Sequence, residues 1–327
     1  MDTAAGALLD EEQQTDDGGA FTDLVQRLSR QSVTPGKHFD AYVDVPWDDP
    51  DFAIDPHDPR WELGDDDPLG ATDWYKRQPQ EVRARLGLHE IVAKMKVGLQ
   101  FESVLKRGLL EFASELPDES PEFRYAYHEV IEEAHHSLMF QEFVNRCAPL
   151  GLRVRGMDRL TKFGARGVIK MGRRSPALFF VFVLGGEDPI DHVQRTLLRS
   201  ARDLHPLTER IMRIHVTEEA RHLSFARHYL KREVPGLSAV RRHALALRAP
   251  FILGQMAGMM LKPTPEIVKA YGIPKDVLRE AYSSPEARQG VWDSLRKVRQ
   301  LLTDLRLVTP ASKRLWKAFG IWDPAAT

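Results

Sequence analysis

Residues 132–136 read Glu132-Glu133-Ala134-His135-His136, and residues 218–222 read Glu218-Glu219-Ala220-Arg221-His222. Each pentapeptide sets a carboxylate three residues before a histidine, Glu133 with His136 and Glu219 with His222. Three residues along an α-helix bring two side chains to one face, which is a metal-ligand spacing. Helix bundles build dinuclear carboxylate sites from two Glu-x-x-His helices plus one Glu from each of two further helices. The chain supplies both partners at matched offsets, Glu102 lying 31 residues before Glu133 and Glu187 lying 32 residues before Glu219.

A single Glu-x-x-His pair is an everyday feature of a solvated helix face. Two near-identical copies with partner glutamates at nearly equal distances make a metal site the better reading. Helical geometry alone does not separate Glu219 from Glu218, nor does it reject Glu132 with His135. The register match between the halves favours Glu133 and Glu219. The second half adds His215, and His215, Glu219 and His222 fall within an arc of about 60° at 100° per residue. Four carboxylates offset two divalent or trivalent metals. Mixed oxygen and imidazole donors with open positions suit iron or manganese and oxygen activation, whereas an all-oxygen set suits magnesium or calcium.

The rest of the chain is compatible with such a bundle. Its 327 residues are 43% hydrophobic and 28% charged, with a formal net charge of −1. That balance favours a small-molecule ligand over nucleic acid or an anionic membrane surface. One cysteine, Cys147, allows no intrachain disulfide and no Cys-x-x-Cys metal pair, so a cytoplasmic location is expected. The N-terminus lacks a signal-peptide pattern, and the apolar run Ala177–Leu184 is too short to span a bilayer.

The periodicity predicts an all-α protein. Residues 1–70, acidic and rich in Pro and Gly, are expected to form a mobile tip followed by an irregular arm wrapped over the body, with no part in the chemistry. Residues 71–327 are expected to be one helical domain with its metal-ligating core at about 80–235. Helical pattern starts near Pro79, breaks around Pro117, restarts at Ser120-Pro121 and stops near Pro149-Leu150-Gly151. It resumes after Pro176 as far as Gly185-Gly186-Glu187, continues through Val193 and Leu197, and gives a further helix from Leu207 to about Arg232. An apolar stretch, Ala239 to Met260, and two or three shorter C-terminal helices complete the pattern.

The order Glu102, Glu133-x-x-His136, Glu187, His215-x-x-x-Glu219-x-x-His222 resembles the ferritin-like di-iron oxygenases. Within them, the additional histidine is similar to that of the p-aminobenzoate N-oxygenase (AurF-like) family. The resemblance covers roughly residues 80 to 235. It implies a ferritin-like helix bundle with two iron ions in its core, O2 as co-substrate, an external electron donor or reductase, a homodimer, and oxidation of an aromatic amine. It departs at Pro189, two residues after Glu187, which implies a kinked or widened turn at that ligand.

Other readings of the same cluster are hydroxylation or desaturation at carbon, and iron storage. Phe140, four residues after His136, stands where a ribonucleotide reductase small subunit resembling this pattern carries its radical tyrosine, and phenylalanine forms no stable phenoxyl radical. Phe101, Phe140, Leu223 and Phe225 are candidates for an apolar shell, or simply bundle core. Met256, Met259 and Met260 with Gly254 and Gly258 are candidates for a tunnel wall. Arg195, Arg199 and Arg202 form a stripe that is either a carboxylate clamp or a solvated face.

Overall fold

The computed structural model describes residues 19–325, so the acidic tip expected before Gly19 lies outside them. The described residues contain no named strand, only an isolated bridge between Pro35 and His38. A first helix, α1, covers residues 19–31. It is followed by an arm holding two short 3-10 turns and the single helical turn α2 (Asp73–Lys76).

Four long helices then form the bundle or cross it: α3 (Gln80–Ala113), α4 (Pro121–Cys147), α5 (Arg159–Arg174) and α6 (Pro176–Arg199). They are followed by α7 (Pro206–Gly236) and α8 (Ala239–Met260). Helices α3 with α4 and α6 with α7 are the two antiparallel pairs, joined through α3 to α6 and α4 to α7. The starts follow local chemistry. Ser120 Oγ accepts the Phe123 N–H while Pro121, which has no N–H to leave unmet, opens α4. His205 caps α7, its Nδ1 accepting the Leu207 N–H.

Several boundaries differ from the sequence expectation. Helix α5 is not among the expected helices, although Ala165, Val168 and Ile169 recur at helical spacing and pack against the main core; at its closest approach to α3 a Cβ on Gly172 would lie 2.0 Å from the Gly108 carbonyl oxygen. Helix α6 is unbroken from Pro176 to Arg199 and passes through Pro189 without a widened turn. Its Leu178 to Asp191 stretch is buried throughout except for Ile190, so tertiary packing overrides the Gly-Gly and Pro breakers.

Helix α8 lies in the one described stretch that is long and apolar enough to cross a membrane by length and composition, which the sequence reading did not pick out. In the fold its Leu245, Leu253 and Met256 are buried in the main core, and the helix packs on α6. The C-terminal part holds five short helices rather than two or three: α9 (Pro265–Ala270), α10 (Lys275–Ser283), α11 (Pro285–Ser294), α12 (Arg296–Asp304) and α13 (Pro310–Ala318). Trp316 and Trp322 from this part are buried in the main core.

The arm is fastened rather than loosely wrapped. The Phe21, Leu24, Val25 and Leu28 side chains of α1 enter the main core. Trp61 stacks on His205 at 4.0 Å between ring centroids, and its carbonyl sits where a Cβ on Gly87 would be, 1.9 Å away, so only glycine fits there. Arg146 lies over Trp47 and donates to its carbonyl at 2.7 Å.

Candidate metal centre

The two Glu-x-x-His motifs face each other across α4 and α7. His222 Nδ1 is 3.1 Å from Glu133 Oε1 and 3.1 Å from Glu219 Oε1. His136 Nδ1 is 3.4 Å from Glu219 Oε1 and 3.6 Å from Glu133 Oε2. His215 turns the other ring nitrogen inward, Nε2 lying 3.8 Å from Glu219 Oε1 and 3.9 Å from Glu102 Oε1. Among the seven, three trios have donor atoms within 4.8 Å of one another: Glu102, His136 and His215; Glu133, His136 and Glu219; Glu187, His215 and Glu219. All seven side chains singled out in the sequence therefore meet, and none is more than 3% exposed.

The doubled glutamates have divided roles. Glu218 Oε2 is 2.8 Å from His136 Nε2, and Glu132 Oε2 is 2.7 Å from His222 Nε2. Each motif thus supports the histidine of the other: an Nε2–H donated to the outer carboxylate leaves Nδ1 facing the centre. His215 is held instead by Gln194, whose Oε1 lies 3.0 Å from Nδ1. Arg221 braces the outer pair, its Nη2 2.8 Å from Glu132 Oε1 and 3.6 Å from Glu218 Oε1.

The arm reaches the outer layer of the site. The Phe39 N–H donates to Glu218 Oε1 at 3.0 Å, the Ala41 N–H to His135 Nδ1 at 3.2 Å, and His38 lies 3.7 Å from Glu218. Neither Arg221 nor Gln194 stood out in the sequence. The signal for the outer carboxylates was the glutamate doublet itself.

The donor set fits metal ions. Glu102 Oε1, both Glu133 oxygens, Glu219 Oε2 and His136 Nδ1 are buried without a hydrogen-bond partner. Buried polar atoms of this kind are costly unless something pairs with them. Burial, then Glu133, pushes Glu102 well above the usual carboxylate range, and burial with repulsion from Glu219, Glu133 and Glu102 does the same to Glu187. Burial opposes charge on Glu219 as well, yet His222, His136 and His215 hold it well below that range.

Burial likewise opposes protonation of His136 and His222, but the surrounding carboxylates raise both well above the usual imidazole range. Metal ions must displace those protons, so uptake should strengthen as pH rises toward the raised values. Titrating metal into weakly buffered protein at neutral pH should release more than one proton per chain. An unchanged pH during uptake would show that the histidines are already bare.

Glu129 is a further buried carboxylate. It is fully buried, both oxygens lack a partner, and burial pushes its carboxyl up to about 8. It stands four residues before Glu133 as His215 stands four before Glu219, a correspondence visible in the sequence and not drawn from it.

Around the centre, Phe140 lies 5.5 Å from His215 and Phe101 packs on Phe182 at 5.0 Å. Phe225 and Leu223 belong to the main core. A cavity of about 1250 Å³ runs beside the bundle, with Gly254, Gly258 and Met260 in its wall. Met256 is not part of that wall, and Met259 is 47% exposed. The arginine stripe is no clamp. Arg195 is tied to Asp191 and the Val216 carbonyl, each at 2.6 Å, and Arg202 to the Glu62 carbonyl and Asp66.

Comparison with known proteins matches residues 20–306 to a family model described as p-aminobenzoate N-oxygenase AurF. Uncharacterized proteins of Mycobacterium tuberculosis and Mycobacterium bovis are 38% identical over 302 residues, covering 92% of this chain and 87% of theirs. No solved structure matches the chain.

Proposed function

Because the chain belongs to the p-aminobenzoate N-oxygenase AurF family, we propose that it is a di-iron monooxygenase that oxidises the nitrogen of a small aromatic amine. In this reading Glu102, Glu133, His136, Glu187, His215, Glu219 and His222 hold two irons. The observation that carries it is the buried, unpartnered donor set backed by a complete outer layer.

Two bound irons would supply the activation of O2, one oxygen atom going to the substrate and the other to water with two electrons from an external donor. The chain's own residues do the rest. Glu132, Glu218 and Gln194 fix the three imidazoles in orientation and tautomer. Phe140 covers the His215 side against water. Ser137 donates to Glu102 Oε2 at 2.8 Å, and Lys106 in turn bonds Ser137 and the Glu133 carbonyl, which keeps the α3 carboxylate aimed across the bundle.

Metal analysis and product analysis test the proposal together. Protein expressed with iron should hold about two irons per chain, and turnover of arylamines with reductant should put oxygen on nitrogen. Oxygen found on carbon would replace this reading by a hydroxylase. Retention of many irons per chain without any product would replace it by storage.

A further inference from the structure

The cavity is elongated along the bundle. Its α6 wall starts at Ile190, three residues past Glu187, and reaches Leu197, ten residues past it, so it spans about 4.5 to 15 Å of helix rise from that carboxylate. At the far end α3 contributes Glu90 and α7 contributes Thr208. Glu90 is twelve residues before Glu102 and Thr208 eleven before Glu219, on helices that both run from this end toward the metal-ligand cluster. Each is therefore about 16 to 18 Å of rise from its ligand.

Both residues present an unmet polar atom. Glu90 is 5% exposed and Thr208 6%, and neither Glu90 Oε1 nor Thr208 Oγ1 has a hydrogen-bond partner. No ion pair involves Glu90 among the described residues. Lys94, one turn further on, is exposed, and Arg202 is already occupied by Asp66 and the Glu62 carbonyl. Burial raises the Glu90 carboxyl to about 7; a cationic donor would satisfy Oε1 and favour the ionised form, whereas a ligand anion would oppose that ionisation. The remaining wall combines apolar Trp292, Phe319 and Trp322 with charges of both signs, Lys262, Lys313 and Lys317 as well as Glu280 and Glu286.

We infer that this cavity is the substrate chamber and that Glu90, with Thr208, receives a protonated amine at the end of the substrate remote from the reacting atom. The substrate class is an elongated molecule with an apolar body and a basic nitrogen at the end remote from the atom that is oxidised. This rests on the oxygenase reading for what happens at the near end. The head-group preference at the far end is measurable without turnover.

Three probes share one body and differ only in the head: 4-phenylbutylamine, 4-phenylbutan-1-ol and 4-phenylbutanoate. Calorimetric titration of the metal-loaded protein should give the amine about tenfold tighter than the alcohol, with the carboxylate weakest. In Glu90→Gln the amine should fall to within about twofold of the alcohol, with metal content and alcohol affinity unchanged. Thr208→Val should weaken the amine by about threefold. The inference fails if wild-type protein binds the amine no tighter than the alcohol, or if the preference survives in Glu90→Gln. An intact preference without arylamine turnover would leave the chamber standing and overturn the N-oxygenase reading alone.

Discussion

Glu133→Ala should reduce iron from about two to below about 0.5 per chain while leaving the helical fold intact. Glu133 and Glu219 are the carboxylates that approach both His136 and His222, so in the proposed di-iron site each would hold metal beside both histidines. Alanine at position 133 removes one such donor. Glu219 Oε1 stays 3.1 Å from His222 and 3.4 Å from His136, so both imidazoles keep a carboxylate neighbour and the fold should persist without metal. The comparison variant is Glu132→Ala, one residue earlier. Glu132 meets the outer nitrogen of His222 through one oxygen and Arg221 through the other, so its loss should weaken metal affinity about 10- to 100-fold without emptying the site at saturating iron. Elemental analysis and chelator competition separate the two. Two irons retained in Glu133→Ala would remove the dinuclear assignment.

Arg221→Leu should destabilise the metal-free protein by about 3 kcal/mol or more, the cost of leaving buried carboxylates without their cation. Arg221 is itself 4% exposed and stands between Glu132 and Glu218, both at most 1% exposed. Burial opposes ionisation of Glu132, yet His222 and then Arg221 hold its carboxyl down at about 2. That depressed value contributes stability present above the ordinary carboxylate range and lost as pH falls toward 2. Arg221→Leu should therefore also flatten the acid limb of the stability curve. Urea unfolding of chelator-treated protein at several pH values is the measurement, and a loss below about 1 kcal/mol would mean that the outer carboxylates find another partner. Arg221→Lys should recover only part of the loss, since an ammonium cannot span two carboxylates as a guanidinium does.

The long helices and the seven converging side chains were legible because a helix turns sequence spacing directly into geometry. Glu102 and Glu133 sit at comparable distances either side of the Pro117 turn, and antiparallel packing does the rest. What was hidden has a physical reason in each case. The hydrogen bonds from Phe39 and Ala41 come from backbone N–H groups, which carry no residue identity. Helix α5 packs Ala165, Val168 and Ile169 inward but also turns Leu160 and Phe163 to solvent, 79% and 71% exposed, and these two exposed apolar residues blur its period. In α6, complete burial outweighs three residues that break exposed helices. Gln194 is a polar residue among helical neighbours until His215 is placed beside it.

The correspondence between Glu129 and His215 has a genetic side. Two helical hairpins on separate, identical chains would have to carry the same residue at that register, so a change to histidine would appear twice or not at all. Joined in one polypeptide, the hairpins are free to diverge one position at a time. Here one copy carries an imidazole anchored by an amide, and the other an acid with no anchor. The linkage between the halves is thus what allows the two motifs to carry different residues at one register, and so a fixed left and right.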